Sequence, residues 1–205
     1  MSETDAINTL YLVDDDDAFR DSLAVLCDSV GFEVEEFRSA REFLDGSLDE
    51  MNGCVLLDVR MPGMSGVELF SELKSRNFGL PVIFLTGHGD VPMAVSAMKD
   101  DAFDFMTKPF SHQELLDRVN AALRSFEEDE EARHGLDDLK DRLEQLTPRE
   151  HEVMGLVVDG LANKVIANRL EISQRTVEIH RARVMEKMQA GSLAELVKMS
   201  LRLEN

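Results

Sequence analysis

The sequence predicts an α/β protein in two parts: a doubly wound, five-stranded parallel sheet, then a smaller all-α helix-turn-helix domain. Three observations carry this. Over residues 1–125, five short apolar runs alternate with amphipathic segments of helical length, the pattern of a parallel sheet covered on both faces. The residues closing those runs are acids, a threonine and a lysine, placed where an open α/β sheet keeps its ligand crevice. From Leu146 onward the periodicity is helical throughout.

The strands are expected at 10–14, 32–37, 54–58, 81–86 and 103–107. Ser or Thr at a helix cap with Glu three residues later satisfies two orphan backbone donors at once. Ser39 with Glu42, Ser65 with Glu68, and Ser111 with Glu114 mark three helix starts in this way. Asp90 followed by Pro92 marks another, because proline in the first turn lacks only an N–H that had no partner. Right-handed crossovers and a strand order of 2-1-3-4-5 follow from the alternation.

Residues 126–146 read as an acidic helical linker. The run from Glu127 to Glu131 is a solvated helical face, and Leu136, Leu139, Leu143 and Leu146 repeat at spacings of three, four and three. That spacing fits either a short heptad seam or packing against a neighbouring domain. A single helix over 111–146 would reach about 54 Å, and Gly135 is the expected break. Residues 147–205 then form the second domain. Thr147 and Glu150 cap a helix ending near Val158, and a short helix over 163–170 meets a turn at Glu171. A longer, Arg-rich helix over 173–188 completes the helix-turn-helix, and Ser192 with Glu195 caps the last helix. A four-helix packing module that never meets DNA is the competing reading of this part.

Composition narrows the functions. With 205 residues and 43% apolar content the chain can bury two cores. Cys27 and Cys54 lie in apolar surroundings without metal-ligand spacing, as small core residues do in a reducing compartment. No apolar run could span a bilayer and the first five residues are acidic, so the cytoplasm is the expected location, with no membrane partner. The net charge of −19 is uneven: residues 1–125 hold 10 basic and 24 acidic side chains, residues 126–146 hold 3 and 9, and residues 147–205 hold 9 and 8. Only the last segment, at +1, can approach nucleic acid without strong repulsion.

The chemistry collects at the strand ends. Asp58 closes the most apolar run, Asp14 and Asp15 close the first, Thr86 closes the fourth, and Lys108 follows the fifth. Asp58 alone could be a turn cap. In the order 2-1-3-4-5, however, the first and third strands are neighbours about 4.8 Å apart, so their terminal carboxylates converge and repel. Mg²⁺, which takes one or two carboxylates, a carbonyl, waters and a phosphate oxygen, would relieve that repulsion. Asp58 can then act as a carboxylate nucleophile toward a phosphoryl group, with Lys108 and the Thr86 hydroxyl on its oxygens. Asp16 and Asp17 read as a solvated charge run.

Val13-Asp-Asp-Asp, Leu57-Asp-Val-Arg-Met-Pro-Gly, Leu85-Thr-Gly-His-Gly-Asp and Phe105-Met-Thr-Lys-Pro-Phe together resemble the signature set of response-regulator receiver domains. The resemblance implies that Asp58 accepts phosphate from a sensor histidine kinase. It implies that Asp15, Asp58 and the Arg60 carbonyl bind Mg²⁺ with help from Asp14, that Thr86 and Phe105 form a switch, and that the Lys108–Pro109 bond is cis. One position departs: Asp101 stands where relatives usually have Gly, which puts the local helix end in question.

Projection of residues 173–188 as a helix sends Val177, Val184 and Met188 to the core and Arg175, Glu178, Ile179, Ala182 and Arg183 outward. The outer set can read bases, with Arg for guanine, Glu for cytosine, and Ile or Ala for a thymine methyl. Arg181 projects nearer the core and toward phosphate. Leu146-Thr-Pro-Arg-Glu, Asn163-Lys-Val-Ile-Ala and Thr176-Val-Glu-Ile-His with Lys187-Met resemble the LuxR-type helix-turn-helix, and Gln189 to Val197 resembles the FixJ subfamily. On that resemblance Lys164, Thr176 and Lys187 join the candidate DNA contacts. The implied function is a phosphorylation-dependent transcriptional regulator, not an enzyme. It binds double-stranded promoter DNA as a homodimer formed on phosphorylation, with RNA polymerase a candidate partner. Two rivals use the same residues. A metal-dependent aspartyl phosphotransferase or phosphatase would need a general acid, and His88 is the one histidine near the site. A phosphorylation-independent DNA binder would use its receiver only as an interaction module.

Overall fold

The computed structural model describes residues 9–87 and 101–204. In chain order the elements are β1 (Thr9–Val13), α1 (Asp17–Ser29), β2 (Glu33–Phe37), α2 (Ala40–Leu44), a 3₁₀ turn at Leu48–Glu50, β3 (Gly53–Asp58), α3 (Gly66–Ser75), β4 (Val82–Thr86) and β5 (Asp104–Thr107). They continue with α4 (His112–Glu144), α5 (Pro148–Val158), α6 (Asn163–Arg169), α7 (Gln174–Lys187) and α8 (Leu193–Glu204). The helix start expected at Asp90 and Pro92 lies outside the described residues, as does His88.

The sheet is parallel throughout in the order β2-β1-β3-β4-β5, as expected. Alternate side chains of each strand leave opposite faces, and each face carries its own core. Tyr11, Val13, Val55, Leu57, Val82 and Phe84 pack with α2 and α3 residues such as Phe43, Leu69 and Leu73. Leu10, Leu12, Cys54, Leu56, Ile83 and Leu85 pack with Leu23 and Cys27 of α1 and with Leu115 and Val119 of α4. Both cysteines are free and buried, and burial lifts the Cys27 thiol to about 11, so neither is a reactive thiolate.

Helix caps follow the sequence with one variation. Ser65 with Glu68 and Thr147 with Glu150 close complete capping boxes. At α2 the Glu42 carboxylate accepts from the Arg38 N–H instead, so only the Ser39 half of the box forms there. At α4 likewise, Ser111 Oγ accepts from the Glu114 N–H, while the Glu114 carboxylate turns to Arg118.

Gly135 does not break the helix, contrary to expectation: α4 runs unbroken from His112 to Glu144. A helical glycine costs about 1 kcal/mol relative to alanine, and the strong helix formers Glu, Ala, Arg, Leu and Lys on both sides outweigh it. The chain divides into two compact units at Asp129 and Glu130, inside this helix. Of the two readings of the leucine spacing, packing holds for the C-terminal members, because Leu143 and Leu146 join the core of the second unit.

Gly66, at the start of α3, fixes how closely that helix approaches the end of β3. A Cβ there would stand 2.1 Å from the Asp58 carbonyl oxygen, and the Gly66 N–H donates to the Val59 carbonyl at 3.0 Å. Gly66→Ala is expected to destabilise the first unit by about 1–3 kcal/mol, the range for forcing an extra methyl into a packed contact. Urea unfolding followed by circular dichroism checks it, and an unchanged midpoint would show that α3 can retreat from Asp58 without loss.

Candidate functional site

Lys108 draws the strand ends together. Its Nζ lies 2.7 Å from Asp14 Oδ2 and 2.6 Å from Asp58 Oδ1, and its charge sits 3.8 Å from the centroid of the Phe19 ring. Phe19 in turn packs edge-on against Phe110. Asp58 Oδ2 accepts the Arg60 N–H at 2.7 Å, and Asp14 Oδ1 accepts the Asp16 N–H at 2.9 Å. Asp14, Asp58 and Thr86 are buried, while Asp15 is exposed on the loop that follows. The Thr86 hydroxyl donates to the Gly87 carbonyl at 3.1 Å. Phe105, on β5 beside Phe84 of β4, is half-buried against the α2–α3 side of the sheet.

One ammonium shared by two carboxylates leaves these three groups at a net −1, in a cleft that screens charge poorly. Burial raises the Asp58 carboxyl above its ordinary value, against the pull of Lys108 and the Arg60 N–H. Burial also lowers the proton affinity of Lys108, but the two carboxylates outweigh it and hold the ammonium above the usual range. The causes differ: burial dominates at Asp58, and the two carboxylates dominate at Lys108.

In the second unit Val177, Val184 and Met188 are buried, and Arg175, Glu178, Ile179, Ala182 and Arg183 are exposed, as the helical projection requires. Glu171 takes a positive φ of 54° in the turn between α6 and α7. Lys164 is exposed on the first turn of α6, and Val165 beside it is 46% exposed, matching Ile179 on α7. Other candidates are already engaged. Arg181 donates to Asn163 Oδ1 at 2.8 Å, the Thr176 hydroxyl pairs with Ser173 Oγ at 2.7 Å, and Lys187 donates to Glu150 Oε2 at 2.6 Å and to the Gln145 carbonyl at 3.0 Å.

Comparison with known proteins agrees with both halves. Residues 10–120 match the response regulator receiver domain, and residues 144–200 match the bacterial regulatory proteins of the luxR family. The chain is 46% identical over 193 residues to the transcriptional regulatory protein FixJ of Bradyrhizobium diazoefficiens, covering 94% of each chain. The chain belongs to the FixJ-type response regulators. It is also 48% identical over 191 residues to nodulation protein W of the same organism, covering 93% of this chain and 84% of that one. Among solved structures, the response regulator StyR superposes with a TM-score of 0.87 at 44% identity, covering 95% of this chain and 98% of that one. Full-length FixJ from B. japonicum gives 0.61 at 45% identity, with 96% and 97% covered.

Within this response regulator, two expectations from the resemblance can be read directly. The Lys108–Pro109 bond is cis. Asp101 takes the left-handed conformation at φ 65° in place of the usual glycine, and its carboxylate pairs with Lys74 at 3.0 Å. The receiver's acids also suit a divalent cation in kind, since Asp14 and Asp58 already direct an oxygen each at a single positive charge. Their present arrangement serves Lys108: among the described residues no three acidic, histidine or cysteine side chains are grouped as a metal site.

Four residues here do more than the sequence predicts. Asp16 is the N-cap of α1, accepting from the Ala18 and Phe19 N–H groups, and Asp17 pairs with Arg20, so neither is a merely solvated charge. Asp16 could have been found, since Asp is a favoured cap even without Glu at the third helical position. Arg20 shares the buried stripe with Leu23 and Cys27, at i, i+3 and i+7, and a projection of α1 shows it. Phe19 carries no local signal.

In the DNA-binding domain Glu150 is 1% exposed and completes both the α5 capping box and the bond to Lys187. The Lys187 ammonium, with the Thr147 N–H, holds its carboxyl down at about 2. A depressed carboxyl stabilises the fold above its unfolded pKa, about 4.5, and that contribution is lost as pH falls through about 2. Glu150→Gln is expected to destabilise the second unit by about 3 kcal/mol at pH 7 and to flatten its stability between pH 4.5 and 2. Denaturant titrations across that range check both; a variant with the slope of the parent protein would show that other carboxylates carry it.

Proposed function

We propose that Asp58 accepts a phosphoryl group from a sensor histidine kinase and that phosphorylation drives promoter binding as a homodimer. The convergence of Asp14, Asp58 and Lys108 on one point supports this reading most directly. Asp58 Oδ attacks the phosphorus of a phosphohistidine in line with the P–N bond; the O–P bond forms as the P–N bond breaks, and the imidazole leaves with the electron pair. Lys108 stays with the transferred group and offsets its new charge, and the Thr86 hydroxyl turns from Gly87 to a phosphoryl oxygen. Phe105 then moves inward on β5 behind Thr86, biasing a two-state surface. Mg²⁺, held by Asp15, Asp58 and the Arg60 carbonyl with help from Asp14, would supply the charge neutralisation that the cluster lacks. The protein acts in the cytoplasm, where kinase, promoter DNA and RNA polymerase are all at hand.

At the DNA, exposed Arg175, Glu178, Ile179, Ala182 and Arg183 of α7 face base edges, and Lys164 of α6 meets phosphate. Arg181, Thr176 and Lys187 reach the duplex only by changing or sharing their present partners. Two half-site contacts joined in a dimer gain by effective concentration, so even weak receiver pairing raises operator affinity.

Treatment of the full chain with a small phosphodonor and Mg²⁺ is expected to add one phosphoryl group at Asp58, to shift the chain toward a dimer and to extend its DNA footprint. Asp58→Asn should show none of these. Phosphorylation that leaves both mass and footprint unchanged would favour a constitutive DNA binder, and steady turnover of a phosphorylated metabolite would favour an enzyme.

Base reading has its own test. Glu178→Ala is expected to alter the preferred base at one operator position, a difference of ~1–3 kcal/mol, whereas Lys164→Ala should weaken all sequences alike. Selection from random DNA separates the two outcomes. An unchanged consensus for Glu178→Ala would mean that α7 docks on another face.

A further inference from the structure

Arg20 is the one buried basic residue among those described, at 4% exposure, and it lies on the second turn of α1 rather than in the acidic cluster. Its guanidinium reaches three elements. Nη1 donates to the Asp14 backbone carbonyl at 2.7 Å, Nε donates to Glu36 Oε2 on β2 at 3.2 Å, and Nη2 pairs with Asp17. A guanidinium presents its donors in a planar fork, which suits it to fixing several acceptors at once, and the two carboxylates neutralise its charge. The contact that stands apart is the one to Asp14. It falls on the main-chain oxygen between the two acids at the end of β1, not on a carboxylate.

The consequence is geometric. The Asp14 N–H is tied to the Phe37 carbonyl at 3.1 Å and the Asp14 carbonyl is tied to Arg20, so the backbone of this residue is held on both sides. The peptide plane after Asp14 sets where the Asp15 Cα stands, and with it the direction in which Asp15 projects. Besides the Asp16 N–H bond to Asp14 Oδ1 at 2.9 Å, which spans this peptide locally, the Arg20 bond is the contact described that reaches its carbonyl from α1. We propose that Arg20 is a positioning residue of the phosphoacceptor site: by clamping the Asp14–Asp15 peptide it sets the spacing of Asp14 and Asp15 relative to Asp58. This rests on the reading that these acids bind Mg²⁺ and support phosphoryl transfer. A residue that only stabilised the fold would leave the metal affinity of the folded protein unchanged. A clamp on the ligands' backbone should not, because outer contacts that orient ligands are worth about 10- to 100-fold in metal affinity.

The test is calorimetric titration of MgCl₂ into the full chain, with melting curves on the same samples. Arg20→Met is expected to weaken Mg²⁺ binding at least about 10-fold, and to slow labelling of Asp58 by a small phosphodonor at fixed subsaturating Mg²⁺. Arg20→Lys keeps the charge but cannot reach all three acceptors, so it should fold and still weaken binding about 3-fold or more. Glu36→Gln spares the bond to the Asp14 carbonyl and should stay within about 2-fold of the parent affinity. If Arg20→Met does not fold, Arg20→Lys decides alone. A folded Arg20 variant with the parent affinity for Mg²⁺ overturns the proposal, even if its melting temperature falls. Asp15→Asn separates this from a failure of the underlying reading: if the parent chain does not bind Mg²⁺, or Asp15→Asn binds as tightly, the metal site itself is wrong and the role of Arg20 falls with it.

Discussion

The receiver unit depends on one ammonium held between two carboxylates that are far apart in sequence. Asp14, Asp58 and Lys108 close three different strands, and the order β2-β1-β3-β4-β5 sets β1 beside β3 but leaves β4 between β3 and β5. At about 4.8 Å per strand, a group on β5 must span roughly two spacings to meet β3, and the lysine stem, the Asp58 side chain and the 2.6 Å hydrogen bond between them together cover that distance. Phe19 lies under the charge, so the Lys108 ammonium is held by an aromatic face as well as by two carboxylates. The unmodified site is thus stable and still electron-rich. A phosphoryl group and a divalent cation, as proposed, would exchange for existing contacts, and neither would have to create a charged cleft anew.

The packing around this point is built to let the strand ends meet. Gly66 admits α3 to within contact of the Asp58 carbonyl, and the β3 side chains from Cys54 to Leu57 are fully enclosed between helices on both faces. Burial on both sides removes any freedom of the strand to slip, because a shift of one residue would exchange its two faces. Asp58 is therefore presented at a fixed height relative to Asp14 by the register of Val13 with Leu57. Rigid presentation suits the proposed role of Asp58, which is to meet a phosphodonor on another protein.

The DNA-binding unit solves a different problem. Its core is small, and a helix of four basic and two acidic side chains over 173–188 must keep its outer face free. Glu150 draws Lys187 away from that face into a buried pair that also ties α7 to the end of α4 through the Gln145 carbonyl. Lys187, a candidate DNA contact, is thus engaged within the unit, while Arg175 and Arg183 stay exposed. The same logic holds for Arg181, which spans from α7 to Asn163 on α6 and so braces the helix-turn-helix from within.

Local chemistry made much of this protein legible before any coordinates. Apolar alternation, capping residues and turn residues act over a few positions, so five strands, several of the helix starts and a sheet-containing part followed by a helical part were readable from the chain. The acids and lysine at the strand ends were readable too, because a parallel sheet places every strand's carboxyl end on the same edge. What the chain alone did not determine were the partners chosen across distance. That Phe19 supports Lys108, that Arg20 holds the Asp14 carbonyl, that Lys187 belongs to Glu150, and that α4 passes through Gly135 are outcomes of competition among contacts. A long side chain can satisfy several acceptors, and a glycine can be carried by its neighbours. Only the assembled fold decides which of those offers is taken.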